Sequence, residues 1–106
     1  MIDSRQIEDI VTRIALNYNP ERIILFGSYA KGNFTDDSDL DFILIKNTPV
    51  PRNKRGIEVR RLFYRLPVAM DFKIYTSSEF NAELNNQYSF LNSVIKDSKV
   101  LYERKD

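Results

Sequence analysis

Two carboxylates interrupt an otherwise apolar run. Asp39 and Asp41 flank Leu40, and Phe42-Ile43-Leu44-Ile45 follows. Such a run reads as a strand from Asp39 to Ile45, and in a strand residues two apart point to one face. Two acidic side chains on a covered, otherwise apolar face are costly if left unpaired. A divalent cation removes that cost, so this pair constrains both the surroundings of the strand and its chemistry.

A second apolar run carries the same oddity. Val68 to Tyr75 reads as a strand, and Asp71 is its only acidic residue. If these two strands are neighbours, Asp71 joins Asp39 and Asp41. Three carboxylates on adjacent strands make a pocket for one or two divalent ions, the arrangement used in two-metal phosphoryl or nucleotidyl transfer. Upstream, Gly27-Ser28 breaks the apolar run Ile23-Ile24-Leu25-Phe26. Glycine lets backbone amides come close to a phosphate, and the start of a short helix at Ser28-Tyr29-Ala30-Lys31 aims further N–H groups at it. A Gly-Ser pair alone says little. Its position matters, between an apolar strand and an Asp-x-Asp strand.

The rest of the chain alternates helices and strands. Asp3 or Ser4 caps a first helix to about Asn17, with Ile7, Ile10, Val11, Ile14 and Tyr18 on its buried face. Gly32-Asn33 stops the short second helix, and residues 33–38 form a polar loop. Pro51 opens a further helix, with Val59, Leu62, Phe63 and Leu66 as its apolar stripe, and Pro67 ends it. Thr76-Ser77-Ser78-Glu79 is a capping-box pattern. Phe90 to Ile95 reads as a last helix and Val100-Leu101-Tyr102 as a short closing strand, after which the charged end 103–106 is expected to fray. The expected fold is α/β (α+β): one domain spanning 1–106, with a small mixed sheet flanked by helices in two or three layers.

Composition narrows the chemistry. The chain has neither histidine nor cysteine, which removes histidine bases, Ser-His-Asp triads, thiolate metal sites and disulfides. Any metal must be held by oxygen, which favours magnesium or manganese. A net charge of +1 gives no overall argument for nucleic-acid binding. No apolar run approaches the roughly 18 residues of a membrane span, and a soluble cytoplasmic protein is the simplest expectation.

Gly27-Ser28-Tyr29-Ala30-Lys31-Gly32, then Ser38-Asp39-Leu40-Asp41, then the strand with Asp71, resemble the nucleotidyltransferase superfamily related to DNA polymerase beta. Within it, the chain looks most like the minimal nucleotidyltransferases found beside HEPN proteins in toxin–antitoxin pairs. The resemblance runs from the first helix to Tyr102. It implies magnesium-dependent transfer of a nucleoside monophosphate, most simply AMP from ATP, to a hydroxyl. In those antitoxins the implied acceptor is a tyrosine of the HEPN toxin. Carried over by position, Gly27 and Ser28 would hold phosphate, Asp39 and Asp41 would bind two metals, and Asp71 would complete the site for the ion that activates the acceptor. Many relatives have a basic residue where this chain has Tyr29. Lys31 keeps a positive charge nearby and is a candidate phosphate contact.

Plainer readings stand beside these. Asp39 and Asp41 also suit a strand start, Asp71 and Lys73 an exposed edge strand, and Lys31 a solvated helix end. Arg52, Lys54, Arg55, Arg60, Arg61 and Arg65 read as a solvated helix face, and Phe26, Phe34, Phe42, Phe63, Phe72 and Phe80 as core. The chain is too short to spare a second domain that would enclose a small acceptor or grip the base, which favours a protein acceptor and leaves self-association open. Two alternatives to the enzyme remain: an antitoxin of the same fold that only masks its partner, and an ATP- or metal-sensing module.

Overall fold

Asp3 sets where the chain begins to coil. Its Oδ1 accepts from the Gln6 amide at 2.9 Å, and the Gln6 side chain accepts from the Asp3 amide at 3.0 Å, a reciprocal cap. The computed structural model describes residues 2–105. Helix α1 runs Ser4–Tyr18 and buries Ile10, Val11, Ile14 and Tyr18, with Ile7 half-buried beside them. It ends at Asn19, in the left-handed conformation, just before Pro20. The Lys46 ammonium donates to the freed Tyr18 carbonyl at 2.7 Å and so supplies part of the cap of α1.

Strands β1 (Arg22–Phe26), β2 (Leu40–Ile45), β3 (Met70–Tyr75) and β4 (Lys99–Glu103) form one mixed sheet in the order β3-β2-β1-β4. β1 pairs antiparallel with both β2 and β4, whereas β2 and β3 are parallel. The parallel pair needs a crossover, and residues 46–69 provide it.

Alternation along β2 builds two cores. Leu40, Phe42 and Leu44 face α1 and α3 (Gly56–Arg61) together with Phe72 and Ile74. Ile43 and Ile45 face the other way, with Ile24, Phe26, Tyr75, Phe80 and Leu91. That second layer contains α4 (Ser77–Leu84) and α5 (Phe90–Ile95). The domain is therefore three-layered, and β2 is covered on both faces. Phe42 stacks on Phe72 with centroids 5.7 Å apart, and removing its fully buried ring would destabilise the fold by about 3–5 kcal/mol. Among the described residues, no helix is long and apolar enough to cross a membrane.

Several boundaries differ from the expected ones. β2 begins at Leu40, so Asp39 precedes the strand; β3 begins at Met70 rather than Val68. The helix expected after Pro51 is broken into a 3-10 turn (Arg52–Lys54) and the short α3, and Leu66 is 36 % exposed. Arg55, at the junction of the two pieces, keeps helical backbone angles but is buried rather than solvated. Its guanidinium turns inward to donate to the Val50 and Ile74 carbonyls at 2.7 and 3.2 Å and to Glu79 Oε1 at 2.6 Å. Phe34, expected in the core, is only half-buried. The start of the charged end is tied down: the Arg104 amide donates to the Glu21 carbonyl at 2.8 Å, and Glu103 belongs to β4. Asp106 lies outside the described residues.

Candidate active site

Sheet register assembles the acidic row. Phe26 of β1 pairs with Asp41 of β2, and Asp41 pairs with Asp71 of the parallel β3. Asp41 shares the parity of Ile43 and Ile45, and Asp71 that of Tyr75, so both point to the α4/α5 face, just beyond where the second core ends. Asp39, exposed, lies two residues upstream of Asp41. A small turn sets its approach: the Thr35 amide donates to Ser38 Oγ at 2.8 Å, and the Ser38 amide returns to the Thr35 carbonyl at 3.1 Å.

The three carboxylates act on one another. The pKa of Asp41 is raised, first by burial and then by the negative charges of Asp71 and Asp39, with Lys73 opposing. Asp71 is held from two sides, by Arg60 Nη2 at 3.8 Å and Lys73 Nζ at 3.5 Å. Among the described residues, no set of three acidic side chains is already drawn into a metal cluster. The donor set still fits a hard divalent cation: it is all oxygen, carries net negative charge, and contains one carboxylate destabilised by its like-charged neighbours.

Gly27 follows β1 and opens α2 (Ser28–Lys31). Its φ of +75° and ψ of −156° lie in a region that only glycine enters readily, and the Asp41 carboxylate fills the space where a Cβ would stand. The Gly27 carbonyl accepts from the Ala30 and Lys31 amides, both at 3.1 Å. The earlier amides of the turn, at Ser28 and Tyr29, have no intrahelical acceptor. They and the half-buried Ser28 hydroxyl therefore lie in the turn that leads from β1, one strand from Asp41. Lys31 ends α2 and is exposed, one turn beyond Ser28. Tyr29 turns away from this chemistry. It is buried in the α1 layer, stacked on Phe34 at 4.4 Å, and its hydroxyl accepts from the Ile2 amide at 3.3 Å.

Two neighbours of the row were hidden in the sequence. In the sequence Arg60 reads as a solvated helix charge and Phe90 only as the start of the last helix. Phe90 meets Phe26 edge-on with centroids 5.7 Å apart, and the Lys73 ammonium lies 5.3 Å from its ring centre. Lys73, by contrast, is legible in the sequence, because the parity of β3 puts it on the face of Asp71. The acidic row is open to solvent: Asp39 is exposed and the Asp71 side chain is 40 % exposed. A groove of about 900 Å³ lies on the opposite face of the sheet, between α1 and β4, lined by Val11, Leu16, Tyr29, Leu101 and Tyr102 among others.

The model of the family described as "Polymerase beta, Nucleotidyltransferase" matches residues 8–106. A Methanocaldococcus jannaschii protein named as a putative protein adenylyltransferase is 28 % identical over 105 residues, covering 96 % of this chain and 100 % of that one. A second M. jannaschii protein, named likewise, is 47 % identical over 38 residues, 35 % of this chain and 38 % of its own. A crystal structure described as a putative nucleotidyltransferase from Sulfolobus solfataricus superposes with a TM-score of 0.64 over 92 % of this chain and 78 % of that one. At 21 % identity this last likeness speaks for the fold alone.

Proposed function

Since this chain belongs to the polymerase beta nucleotidyltransferase family, we propose that it transfers AMP from ATP to a tyrosine hydroxyl of a partner protein, a HEPN-type toxin that the transfer silences in the cytoplasm. The observation that carries this reading is the alignment of Asp41 with Asp71 across the parallel β2/β3 seam, beside the Gly27 turn. Gly27, Ser28 and Lys31 hold the triphosphate. Asp39, Asp41 and Asp71 would hold two magnesium ions, or manganese in their place, supplying charge neutralisation at the triphosphate and a more acidic acceptor hydroxyl. The acceptor oxygen forms a bond to the α-phosphorus as the bond to the bridging oxygen breaks and pyrophosphate leaves. Asp71, on the outermost strand of the row, takes the hydroxyl proton.

Two features favour a protein acceptor. The row is open to solvent at Asp39 and Asp71, so a small acceptor would be poorly enclosed. The M. jannaschii relative that spans nearly the whole chain carries a protein adenylyltransferase name. The test is incubation with the helical product of a neighbouring gene, labelled ATP and magnesium, followed by intact mass of both chains. The expected result is one or more AMP units on the partner, absent with Asp41→Ala. A stable, inhibited complex with no mass change would overturn the catalytic reading and leave a masking protein.

A further inference from the structure

Phe90 is a large aromatic side chain left 45 % exposed beside the acidic row. Its position is fixed by the structure around it. Ser89 caps α5, its Oγ accepting from the Asn92 amide at 3.0 Å and donating to the Glu83 carbonyl at 2.6 Å. Phe26, the β1 partner of Asp41, packs against the ring at an interplanar angle of 80°. Lys73 links ring and row: its ammonium is 3.5 Å from Asp71 Oδ2 and 5.3 Å from the ring centre. An aromatic surface thus sits one lysine head away from the carboxylates assigned to the triphosphate.

From this juxtaposition we infer that Phe90 is the platform for the nucleobase of the donor nucleotide, and that Lys73 moves from its ring to the phosphates when the base arrives. The inference rests on the reading of Asp39, Asp41 and Asp71 as the triphosphate site. A ring that accepts a cation on its face presents π-density that a heterocyclic base can also cover. A nucleotide anchored at the row has its ribose between phosphate and base, and Lys73 spans that interval. Stacking on one exposed ring grips a base without enclosing it. It also predicts a site that tells purines from pyrimidines by stacking area more than it tells adenine from guanine.

The chain has no tryptophan and six tyrosines, so Phe90→Trp introduces a single indole at the proposed platform, excited selectively at wavelengths the tyrosines do not absorb. Addition of Mg-ATP should quench its emission, and magnesium tripolyphosphate, which lacks a base, should not. In equilibrium dialysis, Phe90→Ala should weaken ATP binding about tenfold and leave tripolyphosphate binding unchanged. Phe90→Leu, which keeps apolar bulk against Phe26, controls for folding and should behave like the alanine variant. If ATP binds Phe90→Ala and Phe90→Leu as tightly as the wild type, or binds Phe90→Trp without quenching, the platform is overturned while the triphosphate site stands. If the wild type binds neither ATP nor tripolyphosphate, the reading of the carboxylates falls, and this inference with it.

Discussion

Gly27 and Asp41 compete for one space: a Cβ on Gly27 would lie 2.5 Å from Asp41 Oδ2 and 3.3 Å from its carboxyl carbon. One of the two must yield, and glycine has yielded its side chain. Gly27→Ala is therefore expected to push the Asp41 carboxylate off its line with Asp71 and to strain a backbone at φ +75°. The strain should destabilise the fold by roughly 1–3 kcal/mol. The displaced carboxylate should lower kcat/KM on the order of a hundredfold. Denaturant unfolding and single-turnover transfer read the two effects separately.

Asp41 should limit stability as well as serve the reaction. Burial and two like charges raise its pKa, so the folded state holds the proton more tightly than the unfolded chain does. The stability associated with that proton is present at low pH and is lost as pH rises through the folded value. At neutral pH, Asp41→Asn should abolish transfer yet stabilise the metal-free protein by roughly 0.5–1 kcal/mol. Magnesium should raise the melting temperature of the wild type and leave that of the variant nearly unmoved. A thermal shift series with and without magnesium decides it.

Glu79 has the opposite sign. The hydrogen bond from Arg55 is the largest of the effects that hold its carboxyl at about 2, against an ordinary 4.5. The unfolded chain takes up that proton first, so stability is full above about 4.5 and falls as pH drops toward 2. Glu79→Gln should flatten the acid limb of a stability-versus-pH curve in this window. An unchanged slope would show that the pair contributes nothing.

Arg55 should be harder to replace than its partner. Its guanidinium joins the Val50 carbonyl, the Ile74 carbonyl and Glu79, so it ties the crossover to β3 and α4. Arg55→Ala leaves both carbonyls and Glu79 without this donor. A loss of roughly 2–4 kcal/mol is expected, with the lower part of the range favoured because the Glu79 side chain is 31 % exposed. Arg55→Lys should rescue only part of it, since an ammonium lacks the fork that reaches all three. Urea unfolding of the three proteins measures the series.

The elements that were plain in the sequence are those governed by local rules. The reciprocal cap at Thr76 and Glu79 forms as its spacing implies, and α5 spans Phe90–Ile95 as read. Asp71 was legible because a lone charge in an apolar strand needs company, and β3 lies beside β2 in register with it. What escaped reading depends on distant partners. Nothing near Arg55 announces that its side chain will turn inward to Ile74 and Glu79. Arg60 looked like any helix cation until β3 placed Asp71 before it. Asp39 sits outside β2 because the turn at Thr35 and Ser38 runs up to the strand, a choice that hydrophobic alternation cannot show.

The strand order β3-β2-β1-β4 puts Asp71 on the rim of the sheet. With the proposed chemistry, a reacting group approaching there meets a shoreline rather than a tunnel. Acceptor choice would then be written in the surface next to the rim, chiefly the α3 face that presents Arg60, and scarcely in the carboxylates. Lineages could change what such a domain modifies by altering α3 while leaving its acidic row untouched. An engineer seeking a new target would do well to begin at the same place.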